Sequence, residues 1–200
     1  MVDVPPRIAR QGRGAALAIG LALGALALST PSRSASNWAI DPARTHITFD
    51  IDAVAYPRTH GEFRKFAGTI AVDLEHPARS RVSFHVEAQS VDVGSASFND
   101  YVRSAVLLDA PRFPTIDFAS TSVEKLDERR VRVTGDLTLL GVTRPLGVDV
   151  EVERRGEGTH ARLGFTARAR IDRLEFGMNS GFPVISRDVD LVISSEASEF

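Results

Sequence analysis

The sequence predicts an all-β fold of eight antiparallel strands with one short helix. Three observations carry this. Apolar and polar residues alternate with period two through almost all of residues 45–196, the signature of strands with one buried face. Turn-forming residues separate most of these runs by a few positions, and a parallel crossover needs about a dozen residues or more. Each run has a single apolar face, so the sheet is covered on one side only. Eight such strands must close into a barrel or fold into a sandwich. Strands of about ten residues with mid-sized apolar side chains favour the barrel, whose interior is filled by side chains or holds one small ligand.

The elements follow in order. In 45–54, Ile47, Phe49, Ile51 and Ala53 share a face, opposite Thr48, Asp50 and Asp52. In 62–73, Phe66, Gly68, Ile70 and Val72 share one. In 80–89, Val82, Phe84, Val86 and Ala88 oppose Arg81, Ser83, His85 and Glu87. The period then changes. Phe98, Val102 and Ala105 stand at helical spacing, behind a Ser97-x-x-Asp100 start that resembles a capping box, and Pro111 and Pro114 follow. This predicts a short helix within 96–108. Alternation returns in 115–125, 130–139, 145–154, 160–171 and 187–197, with Phe118, Leu137, Val148, Phe165 and Leu191 on the apolar faces. Turns fall at 75–77, 127–128, 141–145 and 156–158. Residues 172–186 read as a loop rich in Gly and Pro, whose apolar side chains must rest on something.

Residues 1–36 read as a signal peptide. Arg7, Arg10 and Arg13 precede fourteen uncharged residues, Ala15 to Leu28, and a small, polar stretch follows. As a helix, those fourteen rise only about 21 Å, short of the ~30 Å hydrocarbon core. An uncleaved anchor is the alternative reading. Cleavage within 34–36 leaves residues 37–200 as a single domain with 20 basic and 25 acidic residues, a formal net charge of −5. The expected location is periplasmic or secreted.

Composition narrows the chemistry. The 22 Arg and 2 Lys form no run and the whole chain is at −2, which argues against nucleic acid as the main partner. With no cysteine there are no disulfides, thiolate nucleophiles or cysteine metal sites. Five histidines are present, but none stands in His-x-His spacing. His85-x-Glu87 and His60-x-Glu62 each offer two ligands without a third, and read as solvated surface. Asp50 with Asp52, and Glu151 with Glu153, stand side by side on polar faces rather than across a cleft. Asp172 and Glu175 read as loop polarity. No nucleophile elbow, phosphate loop or dinucleotide fingerprint is present. No metal, cofactor or catalytic residue is expected. What the chain has in excess is inward apolar area: Phe49, Phe66, Phe84, Phe118 and Phe165 come from five strands. A filled core and a ligand pocket use the same residues, so periodicity leaves both open.

Several segments together resemble the YceI-like family. They are Trp38-Ala39-Ile40-Asp41-Pro42, Ile47-Thr48-Phe49, Gly61-Glu62-Phe63, Phe66-Ala67-Gly68, Ser90-Val91-Asp92-Val93-Gly94 and Arg103-Ser104. The run from Pro111 to Ser120, then Gly135 to Leu139, Gly141 to Pro145 and Phe176-Gly177-Met178, complete the series in order across about 37–196. The resemblance implies an eight-stranded, extended antiparallel barrel of lipocalin-like shape. It also implies an exported protein holding an isoprenoid or other long amphiphilic lipid without catalysis. Two positions depart from the family: Arg44 stands where many relatives have His, and Leu140 replaces the His common before Gly-Val-Thr. On this reading the ligand wall is Phe49, Ile51, Ile70, Phe84, Val86, Phe118, Leu137, Val148, Phe165 and Leu191. The helix and the 172–186 loop gate one end. The contrasting readings are a surface-acting stress-response module with a filled barrel, and an enzyme using His85 or the Asp172–Glu175 region. Monomer and homodimer both stay open.

Overall fold

A computed structural model describes residues 36–73, 76–155 and 162–199. The signal-peptide expectation, the turn at 156–158 and His160 lie outside the described residues. Eleven strand segments form one sheet: β1 (Ser36–Ile40), β2 (His46–Ala53), β3 (Tyr56–Phe63), β4 (Phe66–Val72), β5 (Arg81–Glu87), β6 (Val91–Asp92), β7 (Thr115–Lys125), β8 (Arg130–Leu139), β9 (Val142–Arg155), β10 (Arg162–Asp172) and β11 (Ile185–Glu199). Every pairing is antiparallel. The expected eight strands are present as eight courses, because β1 with β2, and β3 with β4, are broken halves of two long strands. β11 pairs with β10 along one edge and with both halves of the first course along the other, which closes the ring.

The breaks have local causes. At Asp41–Thr45, Pro42 starts a 3-10 turn, and the Asp41 carboxylate accepts from the Ala43 amide at 3.0 Å. Thr45, buried, then hydrogen-bonds Ser195 of β11 at 2.6 Å, so the bend stays fastened to the closing strand. The second break, Arg64–Lys65, makes room for β6, which pairs with Glu62 and Phe63. The second course also starts earlier than expected, at Tyr56 instead of 62, since residues 56–61 are strand without alternation. β9 likewise begins at Val142, not 145. Leu140 and Gly141, both at positive φ, form a two-residue turn of the kind that matches strand twist. Pro145 is tolerated inside β9 because β10 pairs only from Asp149 onward, so no partner there needs its missing N–H.

The segment between β5 and β7 folds over one end of the ring. Its helix, α1 (Ala96–Arg103), is capped by Ser95 accepting from the Phe98 amide, rather than by the expected Ser97–Asp100 pair. It stops at Arg103, and turns occupy the rest of the predicted helical stretch. Asp92 ties the segment down: its carboxylate accepts from the Gly94 amide at 2.9 Å, Asn99 at 3.2 Å and Arg64 at 2.9 Å. Here lies the tightly packed core, with Ala88, Val91, Val102, Leu108 and Ala110 buried against Phe63, Phe84, Val86, Leu137 and Leu139.

Gly135, opposite Ser120, has no room for a side chain: a Cβ would sit 2.5 Å from the Ala119 carbonyl and the Phe118 ring. Gly135→Ala is expected to destabilise by about 1–3 kcal/mol, read as a lower urea midpoint. The Asp92 carboxyl is held at about 2, first by the Gly94 amide, then by Asn99 and Arg64. Its folded value lies below the ordinary 3.8, so its contribution is complete above pH ~4 and is lost as pH falls through about 2. The Gly94 and Asn99 NMR signals should therefore hold steady from pH 7 to 4 and shift with a midpoint near 2; a midpoint near 4 would disprove the assignment.

Candidate functional site

Along β9 the exposure alternates strictly: Leu146, Val148 and Val150 are half-buried, while Gly147 and Asp149 are exposed. Inward residues of β10 and β11, such as Phe165, Ala169, Val189 and Leu191, are half-buried as well. Closed-barrel residues that filled their interior would be fully buried. These are not, because they face an open space. That space is a cavity of about 1090 Å³ running inside the ring, with an almost wholly apolar wall.

All ten residues singled out from the alternation border it. Phe49 and Ile51 come from β2, Ile70 from β4, Phe84 and Val86 from β5, and Phe118 from β7. Leu137, Val148, Phe165 and Leu191 come from β8, β9, β10 and β11. Phe66 packs with the buried core instead of bordering the cavity. The wall is uneven. Phe49 and Phe63, their rings 5.5 Å apart, join Phe84 and Phe118 on one side of the ring. The side built by β8 to β10 carries mostly Val and Ala: Val131, Val133, Val150, Val152, Ala167 and Ala169. Short side chains there leave the axis unfilled.

The two ends differ. At one end the cavity meets Asp73, Lys125, Asp127, Glu128 and Arg129, where Asp127 pairs with Arg130 at 2.6 Å and Arg129 with Glu153 at 3.1 Å. At the other end it meets Tyr56, Phe98, Tyr101, Phe182 and Val184. Between that mouth and the interior stands Arg173, 2% exposed. Its guanidinium donates to the Ser186 carbonyl at 2.7 Å, to Ser180 and Ile185 at 2.9 Å, and to Met178. One cation thereby organises the whole 178–186 loop by bonding main-chain oxygens. Burial lowers its pKa, though far too little to discharge a guanidinium. Asp172 beside it accepts from the Leu174 amide at 3.0 Å and pairs with Arg187, which lowers the Asp172 carboxyl.

The remaining polar candidates lie outside the barrel. His85 hydrogen-bonds Asp117, and Glu87 lies 3.7 Å from Lys65. His60 bonds Asp50 at 3.1 Å, His46 bonds Glu62 at 2.9 Å, and Asp52 takes a two-point contact from Arg58. These are cross-strand pairs on a solvated face. Among the described residues no group of three His, Cys, Asp or Glu is placed to hold a metal, and no helix is long and apolar enough to cross a membrane. Arg44 pairs with Asp41 at 3.4 Å and Leu140 sits in its turn; neither borders the cavity. The side chain of Trp38 lies outside the described residues.

The model of the YceI-like domain matches residues 38–197. The chain belongs to the YceI-like family. Protein YceI of Escherichia coli O157:H7 is 34% identical over 182 residues, covering 89% of this chain and 95% of that protein. Among solved structures, Burkholderia cenocepacia BcnA superposes with a TM-score of 0.73 at 23% identity, over 80% of this chain and 99% of its own. A polyisoprenoid binding domain from Saccharophagus degradans, implicated in plant cell wall breakdown, does so at 0.64 and 14% identity, over 83% and 99%. Both share the fold.

What the alternation could not show is the mouth and its clamp. Tyr56, Phe98, Tyr101, Phe182, Met178 and Arg173 come from a strand without alternation, a helix and a loop, where period two carries no information. Arg173→Met should leave four carbonyls without their donor and cost about 3 kcal/mol or more. The check is urea denaturation together with hydrogen exchange, which should quicken within 178–186 before the strands exchange.

Proposed function

We propose that this protein is an exported carrier that holds an isoprenoid or another long apolar chain inside its barrel, without catalysis. The cavity of about 1090 Å³ with its apolar wall carries the reading. Such a space does not favour emptiness. Wall atoms that face an unfilled space lack packing partners on one side and forfeit their dispersion contacts. Water against so apolar a wall is gainfully displaced by an apolar guest. An apolar chain suits it: each CH₂ removed from water gains about 0.8 kcal/mol, so twenty carbons offer on the order of 10 kcal/mol after part of the gain is spent on ordering. The polyisoprenoid binding domain of Saccharophagus degradans, with the same fold, supports the choice of guest. The signal-like start of the chain supports export.

Native mass spectrometry of the purified protein should show a bound lipid mass, or uptake of an added polyprenol at one per barrel. Folded protein that carries none and takes up none would refute the reading. Ala169 borders the cavity opposite Leu191 in the β10–β11 register. Ala169→Trp should fill the axis and weaken polyprenol binding at least tenfold, while circular dichroism stays that of the parent.

A further inference from the structure

Six of the eight large apolar residues exposed among the described residues gather at one end of the cavity: Val54, Tyr56, Phe98, Tyr101, Phe182 and Val184. Tyr56 is 70% exposed, Phe182 51% and Val184 48%, although all three also border the cavity. They belong to one surface. The Val54 amide donates to the Val184 carbonyl at 2.8 Å, the Tyr101 and Ser180 hydroxyls lie 3.3 Å apart, and the Phe98 and Tyr101 rings stack at 6.2 Å. Two of the three segments that build this rim, residues 53–57 and 176–186, contain no Asp, Glu, Lys, Arg or His, in a chain that is one-quarter charged; the third, residues 93–101, carries a single charge, Asp100, which lies 3.7 Å from Arg103. The opposite end of the same cavity is lined by charged side chains. The difference between the ends therefore needs a cause of its own.

We propose that the charge-poor mouth docks on a lipid bilayer, with Tyr56, Phe182 and Val184 entering its interfacial layer. A long chain then passes between bilayer and barrel without crossing water. The proposal rests on the carrier reading. A chain leaving through water would expose its carbons at about 0.8 kcal/mol each, a barrier that a rim pressed against the bilayer removes. A protein partner seated on this face would cover the same apolar side chains but close the opening. A bilayer covers them and also receives the guest. Aromatic and small polar residues without charge suit the interface between water and hydrocarbon. With residues 37–200 at a net charge of −5, attraction to anionic lipid is not the driving force.

Ser34–Phe200 is a compact unit in itself, so the test uses that chain without the apolar start. In flotation with phosphatidylcholine vesicles, it should float with the lipid, and equally in 0.5 M NaCl. The triple variant Tyr56→Ser, Phe182→Ser, Val184→Ser should lose about tenfold in bound fraction. Ser97→Trp, which adds an aromatic residue to the exposed rim, should gain. Val54→Asp changes a rim residue that does not border the cavity; it should lower the bound fraction, while its loading of detergent-dispersed polyprenol, followed by native mass spectrometry, stays that of the parent. Docking is overturned if the parent does not float, if salt abolishes the binding, or if Ser97→Trp and the triple variant both float like the parent. A dimer formed through this face in place of flotation overturns it as well. Failure of the parent to load polyprenol, with flotation still dependent on the rim, would instead overturn the carrier reading and leave the docking surface standing.

Discussion

Closure of the sheet by β11 is the constraint on which the rest depends. Its fifteen residues pair with β10 on one side and with β2 and then β1 on the other. Among the described residues each course then has a neighbour on both sides over part of its length, while Tyr56–Gly61 of β3 and Val142–Val148 of β9 pair on one side only. Closure also turns all inward side chains toward one axis. Whether that axis is solid or hollow then depends on side-chain length alone. Four phenylalanines crowd one side, mostly valines and alanines the other, and the sum is too small to meet in the middle.

The same ring is packed differently along its length. Where the segment between β5 and β7 folds across, Val91, Ala88 and Ala110 are almost completely buried and the interior behaves as an ordinary core. Along β9 to β11 most inward residues, such as Val148, Val150, Phe165, Val189 and Leu191, stay half-buried, because their neighbour is the cavity. Stability is thus concentrated in one part of the molecule and accessible volume in another. Arg173 stands at the junction. It takes the place of a hydrophobic plug, using its donors to hold a loop that could not otherwise satisfy its own carbonyls. A loop fixed in this way presents Phe182 and Val184 to solvent without collapsing into the space below.

The strands were legible in the sequence because their periodicity is local. Val148, Val150 and Val152 announce an inward face whatever they meet across the barrel. The boundaries were less legible where residues serve two purposes. Tyr56 to Gly61 pair as strand yet lack alternation, so the second course looked shorter than it is. The helix cap fell on Ser95 and not Ser97, since both serines offer a hydroxyl and only the incoming backbone decides which one faces the first free amides. The cavity wall could be read from alternation, but the mouth could not. Arg173 in particular reads as a solvated loop charge, and nothing next to it in the chain signals that four carbonyls lie within its reach.

By itself the sequence determined the antiparallel all-β class, the apolar face of each run, the place of the helix and the family. All of these rest on spacing between near neighbours along the chain. Tertiary structure alone decided that the ring closes, that its axis is open and that its two ends differ in character. Those are sums over residues far apart in sequence, Trp38 beside Glu199 and Val54 beside Val184, and no local pattern contains them.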